Sequence, residues 1–197
     1  MAGKDPASRR EKKIMSVAEK RQPNLTVVLE GIHDPHNVSA ILRSADAVGV
    51  LEVQLVYELE AFPRLGKKSS ASALKWVKRR SFRSIKECYD RLHKEGFLVY
   101  ATRLGASSKS IYDLDLTAGV ALVFGNEHRG VSDTASSLAD GNFQIPMRGM
   151  IQSLNVSVAC AVSLYEAARQ RSLAGLYDVP GLDPAALGTL FDEWITR

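Results

Sequence analysis

Three short stretches carry residue types that chemistry can use: His36-Asn37 with Arg43, Gly125-Asn126-Glu127, and Ser153-Leu154-Asn155. The third lies in residues 145–161, where a strand end runs through a loop interrupted by Pro146 and Gly149 into a helix whose first turn is read as Ser153, Leu154 and Asn155. Helix-start N–H groups are unpaired and carry the positive dipole end, so such an opening receives anions or polar ligands, and Ser and Asn cap it well. The same residues equally make an ordinary loop before a capped, small-residue core helix. Arg43 offers a planar, permanently charged fork that suits a phosphate. Its plain alternative is an exposed side chain paired with Asp46 at i+3, a contact of only tenths of a kcal/mol. Asn37 and Asn155 can be helix caps, and Glu127 a surface carboxylate. His33 and His36 form an HxxH without the Cys or carboxylate set that a metal needs, so no metal is expected. Cys88 and Cys160 lie far apart with no CxxC and read as small buried apolar residues.

These stretches can meet only if strands and helices position them. Residues 25–29 (Leu-Thr-Val-Val-Leu) read as a buried strand and 31–37 as the loop after it, with a helix beginning near Asn37 or Val38. Val38, Ile41, Leu42 and Ala45 form the apolar stripe of that helix, Gly49 stops it, and Ser39, Arg43 and Asp46 share the opposite face. Residues 53–57 predict a second strand and 66–73 a long, basic, Ser-rich loop. Ile85, Tyr89 and Leu92 give a helix over 82–95, followed by a strand at 97–102. A further strand at 120–124 leads into Gly125, a short helix follows at 132–138, and 143–145 is the strand feeding Pro146. Strands alternating with helices specify an α/β fold with a mainly parallel sheet. Ligands in such sheets bind outside the carboxyl ends of the strands, which is where all three stretches fall. None of them is a GxGxxG or a GxxxxGK[ST] sequence.

The chain's 197 residues suit one domain with terminal appendages. We divide it into a basic helical segment at 1–22, a central domain at 23–175 and a linker with a last helix at 176–197. The first segment contains a short amphipathic helix over 8–21 with Ile14, Val17 and Ala18 on one side, placed to cover a neighbour or meet RNA. The last helix opens with Asp183 as cap and Pro184 at its first position, and continues through Leu187, Leu190, Phe191 and Trp194. No apolar run is long enough to span a bilayer and no secretory h-region occurs, so a soluble, cytoplasmic protein is expected. Net charge is +4 but uneven: eleven basic residues face two acidic ones between Arg64 and Lys94, and seven face three in the first 22. Such clustering suits a phosphate backbone, although a solvated basic face has the same composition. The expected RNA contacts are Arg9, Arg10, Lys12, Lys13, Lys67, Lys68 and Arg79.

Taken together, Asn37 through Arg43, Phe124-Gly125-Asn126-Glu127 through Gly130, and Ile145-Pro146-Met147 through Asn155-Val156-Ser157 resemble the three motifs of the SPOUT superfamily, specifically its TrmH-type RNA ribose 2'-O-methyltransferases. Arg21-Gln22-Pro23-Asn24-Leu25-Thr26, Lys75-Trp76-Val77 and Ala174-Gly175-Leu176-Tyr177-Asp178 extend the resemblance over nearly the whole chain and favour its tRNA subgroup. Ser39-Ala40, where a frequent family form has Gly-Ala, fits that subgroup too. The resemblance implies a Rossmann-like sheet ending in a deep trefoil knot whose loops hold a bent S-adenosylmethionine without a metal. By position, Thr102, Gly125, Ile145 and Leu154 would hold the cofactor, largely through backbone groups, with Met147 and Ser153 lining it. Arg43, Asn37, Glu127 and Asn155 would form the catalytic group of a homodimer whose site lies near the subunit interface. The implied reaction is methylation of a guanosine ribose in the tRNA D-loop. The alternatives are another tRNA or rRNA site, and a non-catalytic RNA-binding protein of the same fold.

Overall fold

The computed structural model describes residues 6–58, 62–63 and 73–197. In chain order these form α1 (Pro6–Ala18), β1 (Leu25–Glu30), α2 (Pro35–Ala47), β2 (Glu52–Val56), α3 (Ala73–Trp76), β3 (Lys78–Phe82) and α4 (Ile85–Lys94). There follow β4 (Leu98–Thr102), β5 (Lys109–Ser110), β6 (Val120–Phe124), α5 (Asp133–Leu138), β7 (Gly141–Gln144), α6 (Val156–Leu173) and α7 (Pro184–Ile195). The strands make one seven-stranded sheet in the order β3-β2-β1-β6-β4-β7-β5. Every ladder is parallel.

Burial explains this order. β1 and β6 are buried along their whole length and pair at the centre, Leu25 with Val120 through Leu29 with Phe124. Alternate residues serve opposite faces. Val27, Leu29, Leu122 and Phe124 pack with Val38, Ile41 and Leu42 of α2 and Cys160 and Leu164 of α6. Val28, Ala121 and Val123 pack with Ile85, Cys88 and Tyr89 of α4 and Ala135 of α5. Both cysteines are thus small buried apolar groups, as the sequence suggests. A third cluster joins the chain ends, with Ile14 and Ala18 of α1 packed on Leu190 and Trp194 of α7. The apolar side of the N-terminal helix therefore covers a neighbour while its basic side stays exposed. No helix among the described residues is long and apolar enough to cross a membrane.

Several sequence expectations need correction. α2 begins at Pro35 rather than near Asn37, because the Asp34 side chain accepts from His36 N and Pro35 occupies the first turn. Ser39 lies buried at 3% exposure rather than beside Arg43 in solvent, since α6 packs against α2 and widens its covered surface. Residues 78–82 form β3, an edge strand that the helix expected over 82–95 partly displaced; its Lys-Arg-Arg-Ser-Phe composition hides it, since charged residues are how sheet edges are kept from pairing further. The two-residue β5 has too little sequence to show periodicity. Ser153 and Leu154 precede α6 rather than open it, and Asn155 is its cap. Arg21, counted with the basic N-terminal segment, is fully buried: it pairs with Asp46, donates to Val50 O at 2.9 Å and stacks on Trp194 at 4.9 Å.

Candidate active site

The sheet order reverses between β1 and β6, since the chain leaves β1 for β2 on one side and leaves β6 for β7 on the other, beyond β4, so a crevice opens at their carboxyl ends. The backbone after each strand turns sharply there. Gly125 follows β6, and a Cβ on it would stand 2.1 Å from the carbonyl carbon of Gly130, so no side chain fits. Asn126 fixes this turn: its Nδ2 donates to Gly31 O at 2.8 Å and its Oδ1 accepts from His128 N at 2.9 Å, tying the loop after β6 to the loop after β1. The sequence places Asn126 within its motif but assigns it no task of its own; burial between two loops marks it as a positioning residue.

Those ties bring Glu127 against the start of α2. Its carboxylate accepts from His33 N at 3.1 Å, Asp34 N at 3.2 Å and Asn37 Nδ2 at 3.0 Å. Asn37 in turn accepts on Oδ1 from Asn155 Nδ2 at 3.1 Å. Asn155 uses its own Oδ1 to cap α6 through Ser157 N at 2.9 Å and also receives Ser157 Oγ at 2.6 Å. Glu127, Asn37 and Asn155, ninety or more residues apart in pairs across the two junctions, thus form one polarised chain. Partial burial raises the Glu127 pKa, but the Asn37 amide and the backbone N–H groups outweigh it and the net direction is down. An ionised carboxylate surrounded by donors is a poor proton acceptor at neutral pH; it orients the amides instead.

Beside this chain lies a cavity of about 680 Å³ at the carboxyl ends of β4, β6 and β7. Thr102, Gly125, Ile145, Met147, Ser153 and Leu154, the six residues expected to surround a cofactor, all line it, as do Glu127 and Asn155. Its size is that of a small-molecule site, and most of these residues offer a ligand backbone groups or apolar surface. The Thr102 hydroxyl donates to Val123 O at 3.0 Å, which joins β4 to β6 and leaves that side chain a structural task. The residues present therefore fit a compact, partly apolar ligand with polar edges. Arg103 and Asp133 on the rim, ion-paired at 3.0 Å, were not picked out from the sequence, where isolated charges in loops carry no distinguishing spacing.

Arg43 is placed differently. It is exposed on α2, outside the cavity lining, and the Asp46 pairing considered for it is not made, because Asp46 binds Arg21. Within one chain the fold brings three of the four expected catalytic residues together and leaves Arg43 apart. Among the expected RNA contacts, Arg9, Arg10, Lys12 and Lys13 are exposed on α1, with Arg10 Nη1 donating to Ile195 O at 3.0 Å, and Arg79 is exposed on β3. Lys67 and Lys68, with the loop expected over 66–73, fall outside the described residues except at Ala73, where α3 begins. Much of the remaining basic run is neutralised in the chain: Lys78 by Glu193, Arg80 by Glu52 and Glu95, Lys86 by Asp90, and Arg91 by Glu95. Among the described residues no group of three or more His, Cys, Asp or Glu side chains is placed to hold a metal.

Residues 24–165 match the model of the SpoU rRNA Methylase family. The chain is 47% identical over 188 residues to the tRNA (guanosine(18)-2'-O)-methyltransferase of Thermus thermophilus, covering 95% of this chain and 96% of that one. The TrmH/SpoU tRNA modifying enzyme of A. aeolicus superposes with a TM-score of 0.90 at 35% identity over 96% of both chains. The SpoU methyltransferase AviRb from Streptomyces viridochromogenes, solved in complex with the cofactor AdoMet, superposes with a TM-score of 0.70 at 28% identity, covering 78% of this chain and 62% of that one.

Proposed function

The chain belongs to the SpoU rRNA methylase family, and from that premise we propose that it methylates the ribose 2'-hydroxyl of guanosine 18 in tRNA, using S-adenosylmethionine and no metal. The observation that carries this reading is the coincidence of the Glu127-Asn37-Asn155 chain with the cavity that Gly125, Ile145 and Leu154 line. The choice of tRNA rests on similarity to the Thermus enzyme along 95% of this chain and 96% of that one.

When bound, the cofactor would supply an electrophilic methyl group on a positively charged sulfur; its transfer to the ribose oxygen would leave S-adenosylhomocysteine and release the hydroxyl proton to water. A ribose hydroxyl is a weak nucleophile, so alignment and charge stabilisation by the chain's own groups must lower the barrier. Gly125, Ile145 and Leu154, which line the cavity, would hold the cofactor through backbone groups, with Met147 and Ser153 completing the wall. Glu127, ionised, fixes Asn37, and Asn37 fixes Asn155 at the cavity edge. Arg43, exposed on α2 outside the cavity lining of one chain, keeps its guanidinium protonated and clamps a phosphate of the substrate.

Three further features complete the reading. The C-terminal part of the sheet is a deep trefoil knot; in support, β7 lies between β4 and β5, both of which precede it in sequence, and α6 packs back on α2. The active form is a homodimer, supported by exposed Met150 and Ile151 in the loop before α6 and by Val158 and Tyr165, seven residues apart on one side of it. Basic α1 and Arg79 contact tRNA in the cytoplasm. Labelled methyl groups should enter a tRNA transcript at the ribose of nucleotide 18 and be lost from a transcript with adenosine at that position. Label on a base, at another ribose, or only in rRNA fragments would overturn the assignment.

A further inference from the structure

The loop between β6 and α5 hangs from two consecutive residues at the end of β1. Its leading part is held at Gly31 O, which accepts from Asn126 Nδ2 at 2.8 Å, and its returning part at Glu30, whose Oε2 accepts from Ser132 N at 2.9 Å. Between these points Gly130 N donates to Asn126 O at 2.9 Å, so the loop closes on itself. Glu30 is an uncommon residue for its place. It follows Val28 onto the sheet face that α4 and α5 cover, and it is only 8% exposed. Among the described residues no Lys, Arg or His forms an ion pair with it. A buried carboxylate without a cation costs free energy to desolvate, so its presence is explained by what it holds rather than by packing.

We propose that Glu30 is a positioning residue for methyl transfer: through Ser132 it holds the returning half of the loop, residues 129–132, in place as one wall of the cavity. Glu30 lies outside the cavity lining, whereas Arg129, Gly130 and Val131 belong to it. The inference rests on the reading that the cavity holds S-adenosylmethionine. The leading half of the loop has holds of its own, since Asn126 bonds Gly31 and Glu127 takes donors from His33, Asp34 and Asn37. The returning half relies on Glu30, whose carboxylate accepts an N–H more strongly than a neutral oxygen does. Ser132 passes the constraint on: its Oγ accepts from Ala135 N at 3.0 Å and its carbonyl from Ser136 N at 3.0 Å, so α5 starts from the same point. Loss of the Glu30 carboxylate therefore leaves the Glu127 chain intact. It lowers the share of molecules whose cavity wall is in place, and this reads out as weaker cofactor binding.

Two variants test this. Glu30→Leu suits the apolar surroundings but offers Ser132 no acceptor, and Glu30→Gln keeps an acceptor oxygen at the same reach without the charge. Both are compared with wild type by calorimetry with S-adenosylhomocysteine, by initial rates of tRNA methylation over a range of cofactor concentrations, and by amide hydrogen exchange of residues 129–132 without ligand. In the Leu variant, Kd for S-adenosylhomocysteine and KM for the cofactor should rise on the order of tenfold, with kcat within about twofold of wild type and faster exchange at 129–132. The Gln variant should recover most of the loss, to about threefold above wild type, with intermediate exchange. A Leu variant with a lower melting temperature but unchanged affinity would make Glu30 a residue of the fold alone. A Gln variant no better than Leu would exclude the bond to Ser132 as the route, and a fall in kcat at unchanged KM would place the effect on Glu127 instead; each overturns the proposal. Should the Leu variant not fold, the Gln variant decides, and exchange at 129–132 as slow as in wild type overturns the proposal. Failure of the wild type to bind S-adenosylhomocysteine would instead overturn the cofactor reading on which it stands.

Discussion

Glu127 receives donors from three residues of the facing loop and helix, and this saturation decides what it can do. A glutamine there would turn one acceptor oxygen into an N–H donor aimed at other donors. Glu127→Gln should therefore destabilise the protein by about 1 kcal/mol and reduce methyl transfer by at least roughly tenfold, because Asn37 loses its fixed orientation. The sign with pH follows from the depressed pKa of Glu127. A carboxylate whose folded pKa is lowered contributes stability that is fully present above its unfolded value, about 4.3, and is lost as pH falls through the lower folded value. The melting-temperature gap between wild type and Glu127→Gln should thus be constant from neutral pH to about 5 and close below about 4.3. A gap that persists undiminished at pH 3 would show that the hydrogen bonds, not the charge, set the difference.

At the level of the element, Asn155 has two tasks that different substitutions separate. Its Oδ1 caps α6 and its Nδ2 holds Asn37. Asn155→Ala removes both and should cost about 1 kcal/mol of stability together with most of the activity. Asn155→Asp keeps an equally good cap and adds a charge that suits the helix start, yet it has no N–H for Asn37. Thermal melts should place the Asp variant near wild type and the Ala variant below it, while initial rates should be low for both. Wild-type turnover in the Asp variant would detach the Asn37 contact from the chemistry.

Across the whole molecule, intrachain pairing sorts the basic residues into those with and without charge to offer a polyanion. Lys12, Lys13 and Arg79 are exposed without an acidic partner among the described residues, whereas Lys86 is held by Asp90. Each phosphate neutralised steepens the fall of log affinity with log salt by roughly 0.7 to 0.9. Neutralising Lys12, Lys13 and Arg79 together should flatten that slope for tRNA by about two, and Lys86→Gln should leave it unchanged. Binding measured at several salt concentrations, with protein held above its dimerisation range, checks both, and an unaltered slope in the triple variant would remove these residues from the RNA surface.

Local physics made much of this chain legible from its residues. Apolar runs marked β1, β4 and β6, Asp183-Pro184 marked the start of α7, and the stripe Val38, Ile41, Leu42 and Ala45 fixed the buried side of α2, because each signal is carried by neighbours in sequence. The resemblance of three motifs supplied the family and the six cavity residues, which composition alone does not. Long-range placement was not legible. Arg21 counts with the basic N-terminal segment in the sequence yet is fully buried, as is Arg171, which donates to Leu116 O at 2.9 Å, Asn24 Oδ1 at 2.6 Å and Ala118 O at 2.6 Å. Whether a guanidinium can leave water depends on acceptors that only the closed chain assembles around it. The hydrogen bonds linking Glu127 to Asn37 and Asn37 to Asn155 have the same origin: β1 and β6 pair at the centre of the sheet and α6 folds back onto α2, so loops far apart in sequence meet at one end of the strands.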